Sequence, residues 1–271
     1  MNIVLAGIAG VLGCLIGGTP SFMMTGLAGL ISYIFQTVSI DTTWFDTYIV
    51  NLIFLPAIIF DGAVVATAYA SQKYNIKGYE TWRSLSFTND PMVLIMACIG
   101  GMCGYLLYDL AEIVNFPCDH GAFSVLSIAI IVRILTPGAK YKKDGIEILK
   151  KLPINLWVFH ILYAGCFAFI FAWFGEITGN YTIGFSISAL SLVLLSIDNN
   201  FPTTHHITLV AGYAMMVTHS LVLSTLLGIL SELVCYSFGI VYNDKCSSHV
   251  DPPTVPILLF SLILFTIQRC M

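Results

Sequence analysis

The densest polar cluster in the chain is Asp198-Asn199-Asn200-Phe201-Pro202-Thr203-Thr204-His205-His206, which runs straight into the apolar segment Ile207–Leu221. Imidazoles titrate near neutral pH and can relay protons or bind metals. Behind Pro202, the free N–H groups of a helix start, with the hydroxyls of Thr203 and Thr204, suit an anion or a polarised carbonyl. The same chemistry is available around Thr19, Pro20 and Ser21. His205 and His206 are adjacent, so on a helix they point about 100° apart and cannot act as an i, i+4 metal pair. A ligand set of His205, His219, His249 and Asp251 lacks any compact HxxxH or HxH spacing, and no metal and no cofactor are expected. His160, inside an apolar run, reads as a packing residue.

Carboxylates form the second group. Asp61 and Glu232 fall near the middle of apolar segments, where a charge is costly and signals function. Asp109 and Glu112 are three residues apart and share one helix face near a boundary, where water solvates them. Apart from Arg133, near the inner end of the fifth span, no arginine or lysine is available within the membrane as a partner. Asp61 and Glu232 are therefore expected to be protonated in place or to face a water-filled path. Either state suits proton coupling or cation passage.

These residues must be held by helices in a bilayer. The chain of 271 residues is 58% hydrophobic and 10% charged, against about 25% charged in soluble domains. At about 20 residues per span it has room for about ten spans and no soluble domain. The net charge of −4 offers no basic surface to nucleic acid. The eight cysteines lie mostly in apolar runs without CxxC spacing and read as packing residues. Met1-Asn2-Ile3-Val4-Leu5 carries no positive charge ahead of the apolar run, so this start reads as a first span rather than a cleaved signal.

The spans are expected at 3–17, 19–35, 46–72, 91–114, 120–135, 153–174, 182–197, 206–220, 222–241 and 254–271, with a break at Thr19-Pro20. No clear loop separates the eighth from the ninth, so one long tilted helix is an alternative. Loop 138–152 holds Lys140, Lys142, Lys143, Lys150 and Lys151 and is placed in the cytoplasm. Loop 73–90 then lies on the same side and both termini opposite. Gly7, Gly10, Gly13, Gly100, Gly101 and Gly104 predict close helix contacts, within the chain or with a second copy in a homo-oligomer.

Asn115-Phe116-Pro117-Cys118-Asp119-His120 and Asn200-Phe201-Pro202-Thr203-Thr204-His205 share the spelling N-F-P-x-x-H, with looser versions at Gly18-Thr19-Pro20-Ser21 and Asp251-Pro252-Pro253-Thr254. The first two fall on opposite sides, as in an inverted repeat. The expectation is one all-α transmembrane domain, residues 1–271, with repeat halves 1–137 and 153–271 joined by the basic loop. A three-span unit used three times is the competing register.

The function read from this is a permease or channel for a small polar solute or ion, embedded in the lipid bilayer of the plasma membrane, with Asp61, Glu232 or the Pro202 region lining its path. An integral-membrane enzyme would need His205, His206, His249 and Asp251 to converge. A non-transporting membrane subunit would meet its partner inside the bilayer. No nucleophile, zinc-protease or phosphate-loop motif is present.

Overall fold

The computed structural model describes residues 1–271 and contains helices and no strand. In order these are α1 (Asn2–Ile16), α2 (Gly18–Thr37), α3 (Thr43–Phe45, widening into π turns over Asp46–Ile53), α4 (Pro56–Ala70), α5 (Pro91–Ile113) and α6 (His120–Leu135). They continue as α7 (Gly145–Lys151), α8 (Ile154–Thr178), α9 (Ile183–Ser191, tightening over Leu192–Ser196), α10 (His205–Thr218), α11 (Leu221–Phe238, widening over Gly239–Asn243) and α12 (Thr254–Cys270). Four helical segments are long and apolar enough to cross a membrane: Thr43–Ala70, Pro91–Ile113, Ile154–Thr178 and Leu221–Asn243. The count rises to five if α1 and α2, bent by 117°, form one span.

The break between α1 and α2 falls at Gly17, not at Thr19-Pro20. Gly17 takes φ 104°, which glycine alone adopts cheaply, and Pro20 sits in the first turn of α2, where its missing N–H costs nothing. The segments expected as the eighth and ninth spans form separate helices, α10 and α11, packed side by side. His219 turns the chain at φ 49°, and Ser220 caps α11 by accepting from the Leu223 amide at 3.3 Å. The basic loop is not wholly irregular, since Gly145–Lys151 forms α7. Phe54-Leu55 interrupts the segment expected as a continuous third span, ahead of Pro56.

α4 and α10 are the innermost helices, with most of their residues buried. α1 and α5 wrap α4, and α8 and α11 wrap α10. Small residues set these contacts: a methyl group at Gly104 would overlap the Ala57 carbonyl, and one at Gly62 would meet the backbone of Gly10. On α8, Ala164, Ala168 and Ala172 lie one turn apart and pack against Ile207, Ala211 and Met215 of α10. Between the two groups, α2 lies on α9 and α6 on α12.

The polar segments meet at one end. Lys142 pairs with Asp244 at 2.6 Å, and the Ser247 amide donates to the Ala139 carbonyl. The buried Arg133 donates from its guanidinium to the carbonyls of Lys140, Tyr242 and Ser248. Loop 71–90 joins them, with Gly78 against Ser247 and the Trp82 carbonyl against Gly17. At the far end Arg269 donates to Asn115 at 2.7 Å. Loops 73–90 and 138–152 thus share an end, and α12 finishes at the other.

Candidate functional site

A cavity of about 1060 Å³ runs between the two helix groups. Its lining comes from α2, α4 and α6 on one side and from α9, α10, α11 and α12 on the other. Tyr79, Trp82 and Arg83 line it from the loop end, and Tyr108, Asp119 and His120 from the opposite one.

Beside it lies a buried triad. Glu232 Oε1 is 2.7 Å from His160 Nδ1, and Glu232 Oε2 is 2.7 Å from His206 Nε2. His160 also meets the Tyr163 hydroxyl at 3.1 Å and lies tilted over Tyr236, with ring centroids 4.1 Å apart. Ser231 Oγ donates to the His206 carbonyl at 3.1 Å, which ties α11 to the first turn of α10. Two imidazoles therefore satisfy a carboxylate that the sequence left without a basic partner. They come from α8 and α10 and were reachable only through the fold. His160 is a working partner of Glu232 rather than a plain packing residue. A signal was present: His160 extends the four-residue spacing of Ala164, Ala168 and Ala172, and so lies on the buried face of α8.

His205 and His206 diverge, as adjacent helical residues must. His206 turns to Glu232, while His205 lines the cavity with its ring 4.8 Å from Phe22 and 6.2 Å from Phe185. His205 Nδ1 and Thr204 Oγ1 are buried without a hydrogen-bond partner. His249 lines the cavity near Phe60 and stands 3.5 Å from Asp251. His205, His249 and Asp251 thus share the cavity, and His206 is engaged elsewhere. No three His, Cys, Asp or Glu side chains are grouped for metal ligation.

The remaining sequence candidates divide. Thr19, Asn199, Thr203, His205 and Glu232 line the cavity. Thr19 also exchanges a 2.8 Å hydrogen bond with Thr81. Asp61 does not line it. Its Oδ2 accepts from Ser124 at 3.3 Å between α4 and α6, and its Oδ1 has no partner. Asp198 is exposed and accepts from the Asn200 amide at 2.9 Å in a surface turn. Pro20 sits in the first turn of α2, and Pro202 lies in the irregular segment just ahead of α10.

Sequence reasoning missed Asp119 and Tyr213. Asp119 caps α6 through the Ala122 amide at 2.7 Å and accepts from the Tyr213 hydroxyl at 2.5 Å. The phenyl rings of Phe22, Phe60 and Phe185, dispersed in sequence, were missed as well.

Fold and site together define an all-helical chain with helices able to cross a membrane and a large cavity between two helix groups. The chain matches the profile of the family of unknown function DUF7973 over residues 1–137 and 152–270, and it belongs to that family. No curated protein and no solved structure matches it.

Proposed function

We propose that this chain is a multi-pass membrane transport protein, a permease or channel, whose path for a small polar solute or ion is the cavity between two inverted halves. The cavity carries the reading. It is larger than an ordinary packing defect, both helix groups line it, and it reaches from the loop end to the end where α6 begins.

Membrane embedding is supported by the outward faces. Phe159, Leu162, Phe169, Ile170 and Trp173 of α8 are exposed, as are Ile95, Ile99, Leu106 and Leu110 of α5 and Val222, Leu226 and Leu230 of α11. Apolar surface on that scale requires a non-aqueous neighbour.

The repeat is supported by packing relations. Helices α1, α2, α4, α5 and α6 stand to one another as α8, α9, α10, α11 and α12 do. The pairs α2–α9 and α6–α12 join like to like. α6 begins beside the residues that end α12 and ends beside the loop that precedes it, so the two run antiparallel. The two segments of the family match divide at the same loop. This register pairs the Pro117 break with Pro252-Pro253 and the Pro202 break with Pro56, not Pro117 with Pro202. Inverted halves around a central site are a recurrent plan of transporters.

The test is uptake of a panel of labelled amino acids, amines, sugars and Na⁺ into proteoliposomes, with and without a pH gradient. The intact protein is compared with Ala122→Trp, which places an indole in the cavity from α6. Flux of at least one solute, lost in Ala122→Trp, is the expected result. Flux of none, or flux unchanged in that variant, overturns the reading.

A further inference from the structure

The charge lining the cavity is unbalanced. Glu80, Asp119, Glu232 and Asp251 face it, and Arg83 is its one arginine or lysine. Glu80 pairs with Lys77 at 2.9 Å, Glu232 is held by two imidazoles, and Asp119 by the Tyr213 hydroxyl and the Ala122 amide. Asp251 is not so provided. Its one side-chain partner is His249, at the long distance of 3.5 Å. A carboxylate in a largely apolar chamber with no arginine or lysine in contact is costly, and a bound cation removes that cost.

What lines the cavity together with Asp251 selects the kind of cation. Phe22 packs edge-on to Phe60 and Phe185, with centroids 6.1 and 5.6 Å apart, and the three form an aromatic wall between His205 and His249. Phenyl rings give a metal ion no lone pairs, but they give an ammonium group a π face and its carbon body an apolar surface. His205, buried to 95%, turns its ring to the same chamber, and its Nδ1 has no partner. The cavity is of the size that takes a drug-sized molecule.

We propose that the cavity binds an organic monocation, a primary amine or ammonium compound with an apolar body, whose charge rests at Asp251 and whose body lies against Phe22, Phe60 and Phe185. This names the substrate class for the transport reading and rests on it for the step of being carried, not for the step of binding.

The test is calorimetric titration of the purified full chain in an uncharged maltoside detergent at neutral pH. The probes are phenethylamine, 2-phenylethanol and phenylacetate, which share one aromatic body and differ in charge. Phenethylamine is expected to bind at least tenfold more tightly than the alcohol, and phenylacetate not to bind. Asp251→Asn is expected to weaken the amine at least tenfold and abolish the preference over the alcohol. Phe22→Leu should weaken amine and alcohol together, and the exposed Asp41→Asn should change neither. If Asp251→Asn does not fold, judged by its melting curve, His205→Phe replaces it and should weaken the amine several-fold. Equal affinity for amine and alcohol, no binding of any probe, or amine affinity retained in the cavity variants overturns the proposal. Binding as expected with no flux in proteoliposomes would overturn the transport reading alone.

Discussion

Glu232 on α11 and His206 on α10 meet through a 2.7 Å hydrogen bond, and His206 is fully buried. This contact, with its counterpart at His160, joins three helices through one carboxylate. Removing the carboxylate leaves the buried His206 ring without a partner and His160 with only the Tyr163 hydroxyl. Glu232→Ala is therefore expected to lower stability by about 3–5 kcal/mol, the usual loss when one partner of a buried pair is deleted. Glu232→Gln, which keeps the shape and one acceptor, should cost less. Melting curves in detergent check both, and Glu232→Leu combined with His206→Phe should recover part of the loss seen in Glu232→Ala.

Gly104 has no room for a side chain, because α5 crosses the Ala57 carbonyl of α4 there. Gly104→Ala is expected to destabilise by about 1–3 kcal/mol or more. Gly165 on α8 offers a contrast, since an added methyl would meet Ile229 at an ordinary 3.4 Å. Gly165→Ala should be neutral or stabilising, by up to about 1 kcal/mol of helix propensity. The difference in melting temperature between the two variants is the measurement.

Arg133 holds three backbone carbonyls, those of Lys140, Tyr242 at the end of α11 and Ser248. Arg133→Met keeps the apolar stem and leaves those carbonyls unpaired. Hydrogen exchange in residues 139–145 and 242–250 is expected to quicken, with exchange in α4 unchanged. Equal protection in both proteins would remove Arg133 from its role as the clasp of that end.

Asp90 caps α5. The Met92 amide, with the Tyr74 hydroxyl and the Lys73 ammonium, holds its carboxyl below the usual carboxylate range, against some loss of hydration. A carboxyl whose folded-state pKa is depressed stabilises the fold above its unfolded value of about 3.9 and loses that contribution as pH falls through the folded value. Asp90→Asn should therefore be less stable than the parent at neutral pH and converge with it under acid. Melting temperatures from pH 7 downward test the convergence.

The sequence by itself determined a great deal that is local. Hydrophobic runs marked the helices, and prolines marked new starts at the Pro202 and Pro253 breaks, whereas Pro56, which falls inside the expected span 46–72, opens α4. Small residues on α1 and α5 announced close contacts, which the fold realises within the chain. His205 was legible as a residue of the site because it opens a helix from inside a polar cluster. These features depend on neighbours within a turn or two, so periodicity and composition reach them.

Tertiary structure alone decided which faces meet. That Glu232 takes His160 and His206, that Asp61 turns to Ser124 and away from the cavity, and that Asp251 lines one cavity with Phe22, Phe60 and Phe185 all follow from elements packed across the bundle. The turn between α10 and α11 was decided there too. Thr218-His219-Ser220 is too short to read as a clear loop and left one long helix as an alternative, yet His219 takes a left-handed conformation and the two helices fold back on each other. A helix encodes which of its sides is apolar or small. Which other helix that side meets is set by shape and by the satisfaction of buried polar atoms across the whole assembly, and no local window of sequence contains it.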